Sequence, residues 1–315
     1  MSKLIFLHKV ISIIFLLILI IIVNKSQKLD FKKIFVIFIR KVKFSTGGLL
    51  AYYYVNVGCV HDYILKRYIP IIDLISHPNI FNGFNTSVTK NPWEVFFNQP
   101  FNYTLDIVNK KGEIIKYAEC YGSKKGPNFQ LLKNNTIREY WHKIASKYIP
   151  IKSEIIKEAN SKFKLLFSDS INVLGVLMRG TDYIAKKPFG HAIQPTPEMV
   201  FEDIKKMDKK FKYKWIFLTT EDDLIREKFI KEFKKKLKYI KSKTNINYDY
   251  KRKELLAFNK NIKGNLEYMK TYLVNIIILS KCIDIITSKT AGAIVAFILT
   301  NGFRNKKIYD LGYYK

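Results

Sequence analysis

The segment VLGVLMRGTD, residues 173–182, passes abruptly from an apolar run of strand length into a polar cluster. The same change follows a second apolar run at residues 215–218 and the segment IDII, apolar except for Asp284, at residues 283–286. Helical patterns separate the runs, and one of them opens with a capping hydroxyl and a proline at Thr196 and Pro197. Strands that alternate with helices in this way predict an α/β fold with doubly wound parallel sheets.

Three polar clusters stand at the carboxyl ends of the predicted strands, where open parallel sheets bind their ligands. The clusters are RGTD at residues 179–182, TTEDD at 219–223 and TSKTAG at 287–292. Arg179 has the planar donor fork that holds a diphosphate, and Asp182 is close enough in sequence to orient it or to bind a sugar hydroxyl. The third cluster opens a helix, whose backbone N–H groups attract phosphate. The alternatives are an ordinary salt bridge for Arg179 and plain helix capping for Ser288 and Thr290.

The composition describes a folded protein with a basic surface. Its 315 residues are enough for two domains, and 48% of them are hydrophobic. The formal net charge is +29, but only seven of the 55 basic residues are Arg, which nucleic-acid sites prefer. We therefore predict a lysine-rich solvated surface and no nucleic-acid partner. Three cysteines, Cys59, Cys120 and Cys282, are too few for a disulfide framework and favour a reducing compartment.

The amino-terminal segment predicts a membrane anchor. Residues 4–23 are apolar except for His8, Lys9 and Ser12, which suits a hydrophobic helix that crosses a bilayer. The rival is a secretory signal peptide, but no small-residue cleavage site follows. More basic residues follow the span than precede it, so the positive-inside rule predicts that the remainder of the chain faces the cytoplasm. Helically spaced apolar residues within 31–42 predict a basic amphipathic helix on the membrane surface, or a helix packed on the globular part.

These patterns divide the chain into three parts. They are the anchor and amphipathic segment at residues 1–45, a first α/β domain at 46–165 and a second at 166–315. The first domain opens at Gly47 and Gly48, a glycine loop that leads into a predicted helix and then a strand at 69–74. The aromatic residues of the following stretch, Trp93 among them, predict core packing, with an acceptor-binding surface as the alternative.

The motifs in the second domain resemble one known family. The strings VLMRGTDY, KPFGHAIQPTPEM, IFLTTEDD, ILSKCIDIITSKTAGA and KIYDLGYY occur in the order and spacing of the fucosyltransferase-like glycosyltransferases, and most closely of bacterial members associated with surface polysaccharide. The family motif H-x-R-R-x-D falls on residues 177–182. Arg179 thus matches the arginine that holds the donor diphosphate, and Asp182 matches the motif aspartate. Leu177 and Gly180 depart from the motif, because they replace the histidine and the second arginine.

The resemblance implies a GT-B architecture of two Rossmann-like domains. It also implies an inverting, metal-independent transfer without a cofactor, from a nucleotide-sugar donor, with GDP-fucose the first candidate, to a glycan or lipid-linked glycan acceptor. The donor-binding residues that it implies are Gly47, Gly48, Arg179, Thr220, Asp222, Ser288, Thr290 and Gly292. The sequence EDD at residues 221–223 is evidence against metal independence, because it resembles the acidic metal-binding motif of GT-A enzymes.

Further alternatives stay open at this stage. His191 can serve as a catalytic base, because an unperturbed imidazole titrates near neutrality, or it can be a structural loop residue. The missing second arginine is also compatible with a non-catalytic, membrane-tethered polysaccharide-assembly protein. A lysine-rich protein that binds nucleic acid or a lipid surface is the third possibility.

Overall fold

The computed structural model describes residues 47–75, 80–81, 91–107, 126–168, 172–243, 248–251, 259 and 261–315, and the backbone of 35–39 and 115–119. Within these residues the strands are β1 (Phe35–Ile39), β2 (Ile69–Asp73), β3 (Ile115–Glu119), β4 (Val173–Leu177), β5 (Trp215–Thr219), β6 (Leu237–Tyr239), β7 (Asp284–Ser288) and β8 (Asn305–Tyr309). The helices of nine or more residues are α1 (Leu49–Leu65), α2 (Asn135–Tyr148), α3 (Ser153–Phe167), α4 (Pro197–Phe211), α5 (Asp223–Phe233), α6 (Leu266–Ser280) and α7 (Ala291–Leu299).

The second sheet has five parallel strands in the order β6-β5-β4-β7-β8. The chain moves outward from β4 in one direction and then returns to the other side of β4, so the switch point lies between β4 and β7. Leu174 and Val176 of β4 belong to one apolar cluster with residues of α4 and α5. Val173 and Leu177 belong to another with residues of α6 and α7. Helices therefore cover both faces of the sheet, which confirms the predicted α/β class.

The first sheet is smaller, with three parallel strands in the order β2-β1-β3. Its central strand, β1, lies where an amphipathic helix was expected within residues 31–42, and that expectation is wrong. Five consecutive apolar residues, three of them β-branched, suit a central parallel strand better than an amphipathic helix. The sheet therefore begins ahead of residue 46, where the sequence predicted the domain to start.

The predicted membrane localisation is contradicted. Among the residues that the structure describes, no helix combines the length and the apolar character needed to cross a bilayer. The expectation of a single amino-terminal span, with the remaining chain facing the cytoplasm, is corrected accordingly. The apolar stretch at residues 4–23 that prompted it lies outside the described residues.

The cysteines also differ from expectation. Cys59 on α1 is disulfide-bonded, whereas Cys282 is a free thiol in the core, where burial raises its pKa. Cys120 lies outside the described residues. Because disulfides persist mainly in oxidising surroundings, the reducing compartment inferred from the cysteine count is not supported.

Helix α7 connects the parts of the chain that carry the two sheets, since it packs on α1 and α2, and their division into two domains stays a prediction. Arg138 of α2 donates to the carbonyl of Thr300 at 2.7 Å, and the His142 ring lies 2.7 Å from the carbonyl of Ile298. These side chains satisfy carbonyls that the end of α7 leaves without helical partners. The aromatic Trp93 is fully buried in the first domain, which confirms the core interpretation for that residue.

Candidate functional site

The three polar clusters meet at one edge of the second sheet. They follow β4, β5 and β7, whose parallel order brings their carboxyl ends side by side. The cluster after β4 and the cluster after β7 flank the switch point, where an open parallel sheet forms its binding crevice. The prediction that these loops lie together is confirmed by the strand order.

Arg179 is the central cation of this edge. Its Nη2 donates to Oδ1 of Asp182 at 2.8 Å, and its Nη1 lies 3.2 Å from Oε1 of Glu221. The guanidinium also stacks on the ring of Tyr183, 4.8 Å from its centroid. Burial opposes the charge, but the carboxylates of Glu221 and Asp182 outweigh burial and hold the pKa of Arg179 above its ordinary range. Arg179 is therefore a permanently charged group with a fixed orientation.

Glu221 is a site residue that sequence reasoning did not single out. Its Oε1 accepts from the backbone N–H of Gly180 at 2.9 Å and from the hydroxyl of Thr181 at 3.1 Å. Burial raises the pKa of Glu221, and the charge of Arg179 acts in the opposite direction. Its only sequence signal was its position in an acidic cluster after a strand. Its contacts show that it joins the β4 loop to the β5 loop and orients the arginine.

Asp222 has a structural network of its own. Its Oδ1 accepts from the N–H groups of Leu224 and Ile225 at 2.9 and 3.2 Å, so it caps α5. Its Oδ2 accepts from the N–H of Thr181 at 2.8 Å and from the hydroxyl of Tyr250. The carboxylate is almost fully buried. A nucleotide contact, which the resemblance implies for Asp222, would have to displace one of these four donors.

Gly180 is enclosed by this network. A Cβ atom built on Gly180 would lie 2.2 Å from Oδ2 of Asp222, far inside van der Waals contact. The next residue, Thr181, has φ 45°, a left-handed conformation that is unusual for a β-branched residue. Asp222 thus occupies the space that any side chain at position 180 would need, at the position where the motif that the sequence resembles has its second arginine.

The loop after β7 is tightly packed. Ser288 donates to Oε1 of Gln194 at 2.5 Å, and Thr290 caps α7 by accepting from the N–H of Ala293 at 3.1 Å. A Cβ atom on Gly292 would lie 2.8 Å from the hydroxyl of Tyr272. Plain capping, one of the two sequence alternatives, thus describes Thr290. Phosphate binding by the backbone N–H groups that open α7 stays a prediction.

Tyr272 is a second residue that sequence reasoning missed. Its hydroxyl reaches the start of α7 at Gly292, and the charge of Arg179 acts on its pKa, which burial raises. It lines a pocket beside the ends of β5 and β6, together with Thr220, Glu221, Asp223, Arg226, Ile240, Lys241, Ser242, Tyr268, Thr271 and Asn275. Asn275 is buried, and its Oδ1 has no hydrogen-bond partner among the described residues.

His191 lies on the other side of Arg179. Its ring meets Tyr183 edge-on, with 4.9 Å between the ring centroids, and Tyr183 stacks on the arginine. Burial lowers the pKa of His191 from 6.5, while the charge of Asp182 acts to raise it. His191 is therefore mostly neutral at pH 7 and able to accept a proton. Burial raises the pKa of Tyr183, and the phenol of Tyr54 on α1 acts weakly in the same direction, so α1 borders this group.

Gly47 and Gly48 are not brought into contact with Arg179 by any described interaction. Gly48 precedes α1 and is exposed, and a Cβ atom built on it would meet nothing within 4 Å. The start of α1 carries no side-chain cap, which leaves its first N–H groups open to solvent or to a ligand. Their donor-binding role stays a prediction.

The acidic side chains of TTEDD are engaged within the protein. Glu221 faces Arg179, Asp222 caps α5, and Asp223 pairs with Arg226. Among the described residues, no group of three or more His, Cys, Asp or Glu side chains is arranged to hold a metal ion. The alternative of a GT-A-type metal motif thus has no support from the position of these carboxylates, and metal independence stays a prediction.

Known proteins match this chain only at the level of structure. No protein-family profile matches, and no curated protein sequence matches significantly. The structure is similar to NodZ alpha-1,6-fucosyltransferase soaked with GDP-fucose, at 14% identity over 85% of this chain and 93% of that one, with a TM-score of 0.48. It is also similar to the fucosyltransferase NodZ from Bradyrhizobium, with 13% identity over 85% of this chain and 94% of that one and a TM-score of 0.47. A third similar structure is POFUT1 in complex with GDP, with 9% identity over 89% of this chain and 99% of that one and a TM-score of 0.49.

These similar structures are fucosyltransferases, the family that the sequence motifs resemble. At such identities the likeness concerns the overall fold, and TM-scores below 0.5 are too low to carry a functional conclusion. The function proposed below therefore depends on the residues of the site.

Proposed function

We propose that this chain is a glycosyltransferase that transfers a sugar from a nucleoside-diphosphate donor, first of all GDP-fucose, to a glycan acceptor. Arg179 is the observation that carries the proposal. It is a charged side chain at the switch point of a parallel sheet, held by Asp182 and Glu221 and still partly exposed to the crevice. A guanidinium has five N–H donors, so donors remain for two phosphate oxygens. Its charge would stabilise the diphosphate as the bond to the sugar breaks.

Two neutral donors support Arg179 in this role. The N-terminus of α7 opens beside the switch point, and a helix of this length carries a partial positive charge there. The hydroxyl of Tyr272 reaches the same helix start. A diphosphate in the crevice would thus meet one full charge, one helix terminus and one phenol.

The proton of the acceptor hydroxyl needs a base, and His191 is our candidate. As the acceptor oxygen bonds to the anomeric carbon, the bond from that carbon to the diphosphate breaks, and the hydroxyl proton passes to the His191 ring. A neutral imidazole suits this step, and burial keeps the pKa of His191 below 6.5. Attack opposite the leaving group gives inversion. In this proposal the chain's own residues carry the charge and the proton, without a metal ion or cofactor.

The nucleoside would bind in the pocket beyond β5 and β6. Tyr268 and Tyr272 give the pocket aromatic walls, on which a nucleobase could stack. The lining selects no particular base, so GDP is the first nucleotide to test because the motifs resemble those of enzymes that use GDP-fucose.

The decisive experiment replaces Arg179 with lysine in the full chain. Lysine keeps the charge but loses the planar fork that holds two oxygens. We expect donor hydrolysis and sugar transfer to fall about 100- to 1,000-fold, the usual cost of removing one preorganised donor. Arg304→Lys is the matched control, because Arg304 makes a similar two-donor contact, with Asp284, at the amino end of β7. Activity of Arg179→Lys within about threefold of wild type, a barrier change of roughly 0.6 kcal/mol, would refute the assignment.

Calorimetry with GDP and UDP, with and without chelator, tests the donor. Tight GDP binding without turnover would favour a non-catalytic assembly protein over an enzyme. Binding that is lost in chelator would show that the diphosphate is held through a metal ion. A preference for UDP would retain the glycosyltransferase and exclude GDP-fucose.

A further inference from the structure

An exposed aromatic surface borders the candidate site on the side of His191. Its apolar members are Phe189, Ile184 and Tyr313, which are 86, 40 and 46% exposed. We propose that these residues, together with Lys186 and Lys187, form a binding surface for an anionic glycan. This glycan surface rests on the proposed function in one respect, because it assigns the acceptor of that site to a chemical class.

The surface is held rigidly, although it is made of loops. The N–H of Gly190 donates to the carbonyl of Tyr314 at 3.0 Å, and the N–H of Tyr314 donates back to His191 at 2.9 Å. The N–H of Ile193 adds a further bond to Gly312 at 3.0 Å. The carboxyl-terminal residues thus pair like a short strand with the loop that carries Phe189. A phenyl ring on a fixed backbone binds with little loss of conformational entropy.

The position of the glycan surface fits an acceptor. Phe189 is two residues from His191, whose ring contacts Tyr183, and Tyr183 stacks on Arg179. The loop that carries Phe189 therefore also carries His191, whose ring contacts Tyr183 beside the cation that would hold the donor. Single exposed apolar residues are common on protein surfaces. Here Phe189 is two residues from the proposed base, and Tyr313 lies opposite Ala192 in the backbone bridge beside it.

The charge of the glycan surface selects an anionic ligand. Lys186 and Lys187 are exposed, and neither forms an ion pair with any residue that the structure describes. The nearby acid Asp310 is already paired, with Lys289 at 2.5 Å and with Lys133 at 3.1 Å. A carboxylate or phosphate on the glycan would be attracted to the two lysines, while the apolar face of a sugar ring packs on Phe189.

The test measures binding of defined glycans to the full chain by calorimetry. The probes are hexagalacturonate, which carries carboxylates, and maltohexaose, a neutral chain of the same length. We expect wild type to bind hexagalacturonate at least about tenfold more tightly than maltohexaose, and Phe189→Ala to weaken that binding about tenfold. The double variant Lys186→Gln, Lys187→Gln should remove the preference for the charged glycan.

Matched controls separate a local effect from a general one. Leu165→Ala removes an equally exposed apolar side chain from α3, and Lys234→Gln with Lys235→Gln removes two consecutive exposed lysines elsewhere. Both controls should bind within about twofold of wild type. Failure of wild type to bind hexagalacturonate, or equal binding by Phe189→Ala, would overturn the proposal.

Two further binding measurements, with lipid vesicles and with GDP, show which proposal is wrong if an expected result is not obtained. If Phe189→Ala loses binding to phosphatidylglycerol vesicles but keeps hexagalacturonate affinity, the surface faces lipid and the glycan proposal is wrong. GDP binding by wild type is measured separately. If GDP does not bind while hexagalacturonate binding depends on Phe189, the glycan surface stands and the proposed donor site fails.

Discussion

Replacement of Gly180 by alanine should destabilise the second domain without touching any ligand. The added Cβ would lie 2.2, 2.5 and 2.6 Å from Oδ2, Cβ and Cγ of Asp222. Real contacts are never this close, so Asp222 must leave its position. The atoms are not the end of a long flexible chain, because Asp222 is short, buried and hydrogen-bonded on both oxygens.

The size of the effect follows from what Asp222 holds. Loss of its cap on α5 costs about 1 kcal/mol. The N–H of Thr181 would be left buried without its acceptor, for about 1–3 kcal/mol, and the bond from Tyr250 is worth about 1 kcal/mol more. Since such losses are not fully additive, we expect the free energy of unfolding to fall by about 3 kcal/mol. At roughly 2–4 °C per kcal/mol, the melting temperature would fall by about 6–12 °C.

Calorimetric melting of three variants tests this reasoning. Gly48→Ala is the control, because Gly48 has an ordinary φ of −75° and nothing within 4 Å of the added atom. Gly180→Arg restores the second arginine of the family motif, and we expect it to melt at least as low as Gly180→Ala and to gain no activity. A Gly180→Ala protein that melts within about 2 °C of wild type would refute the packing account, since that shift is under roughly 1 kcal/mol.

Three other predictions concern separate contacts. Tyr272→Phe should weaken GDP binding about five- to tenfold in calorimetry, the usual worth of one hydrogen bond, and an unchanged affinity would exclude the phenol from the diphosphate site. Because burial lowers the pKa of His191 below 6.5, kcat/KM of the wild type should fall only as the pH drops below that value. This decrease at acid pH should be absent in His191→Gln, and a pH profile of the variant equal to that of the wild type would exclude His191 as the base. Arg138→Met should lower the free energy of unfolding by about 2 kcal/mol, because it leaves the Thr300 carbonyl without its donor, and a denaturant midpoint equal to wild type would contradict this.

The second sheet could be predicted largely from local sequence. Apolar runs such as residues 173–178 end in polar loops, and a central parallel strand needs this pattern because both of its faces are buried. The edge strand β6 could not be found in this way. It has three residues, and Leu237 continues the helical spacing of the apolar residues in α5, so periodicity alone favours one longer helix. Pairing with β5 makes these residues a strand, and strand pairing depends on residues that lie elsewhere in the sequence.

Strand β1 is a second element that local sequence could not predict. Its five apolar residues stand in a basic segment after an apolar stretch, a context that favours an interfacial helix. The structure pairs it on both sides, with β2 and with β3. Both partners follow far along the chain, so periodicity within residues 31–42 carried no information about them.

Local sequence predicts only part of the candidate site as well. Asp182 is three residues from Arg179, and one loop sufficed to predict their pairing. The second partner of the arginine, Glu221, and the phenol of Tyr272 come from other strands and helices, so their approach depends on the strand order. Sequence reasoning identified the central cation and missed the groups that orient and surround it.

Asp222 affects both the residue at position 180 and the charge of the site. It closes the β4 loop against α5, and the space it fills leaves room only for glycine at position 180. A second arginine at that position is therefore excluded, and Arg179 alone faces Asp182 and Glu221. With both carboxylates charged, these three side chains sum to one negative charge, so a diphosphate gains less from net charge here than from directed donors. Donor affinity should accordingly depend more on the geometry of Arg179, the α7 terminus and Tyr272 than on ionic strength, which screens charge but not the alignment of hydrogen bonds.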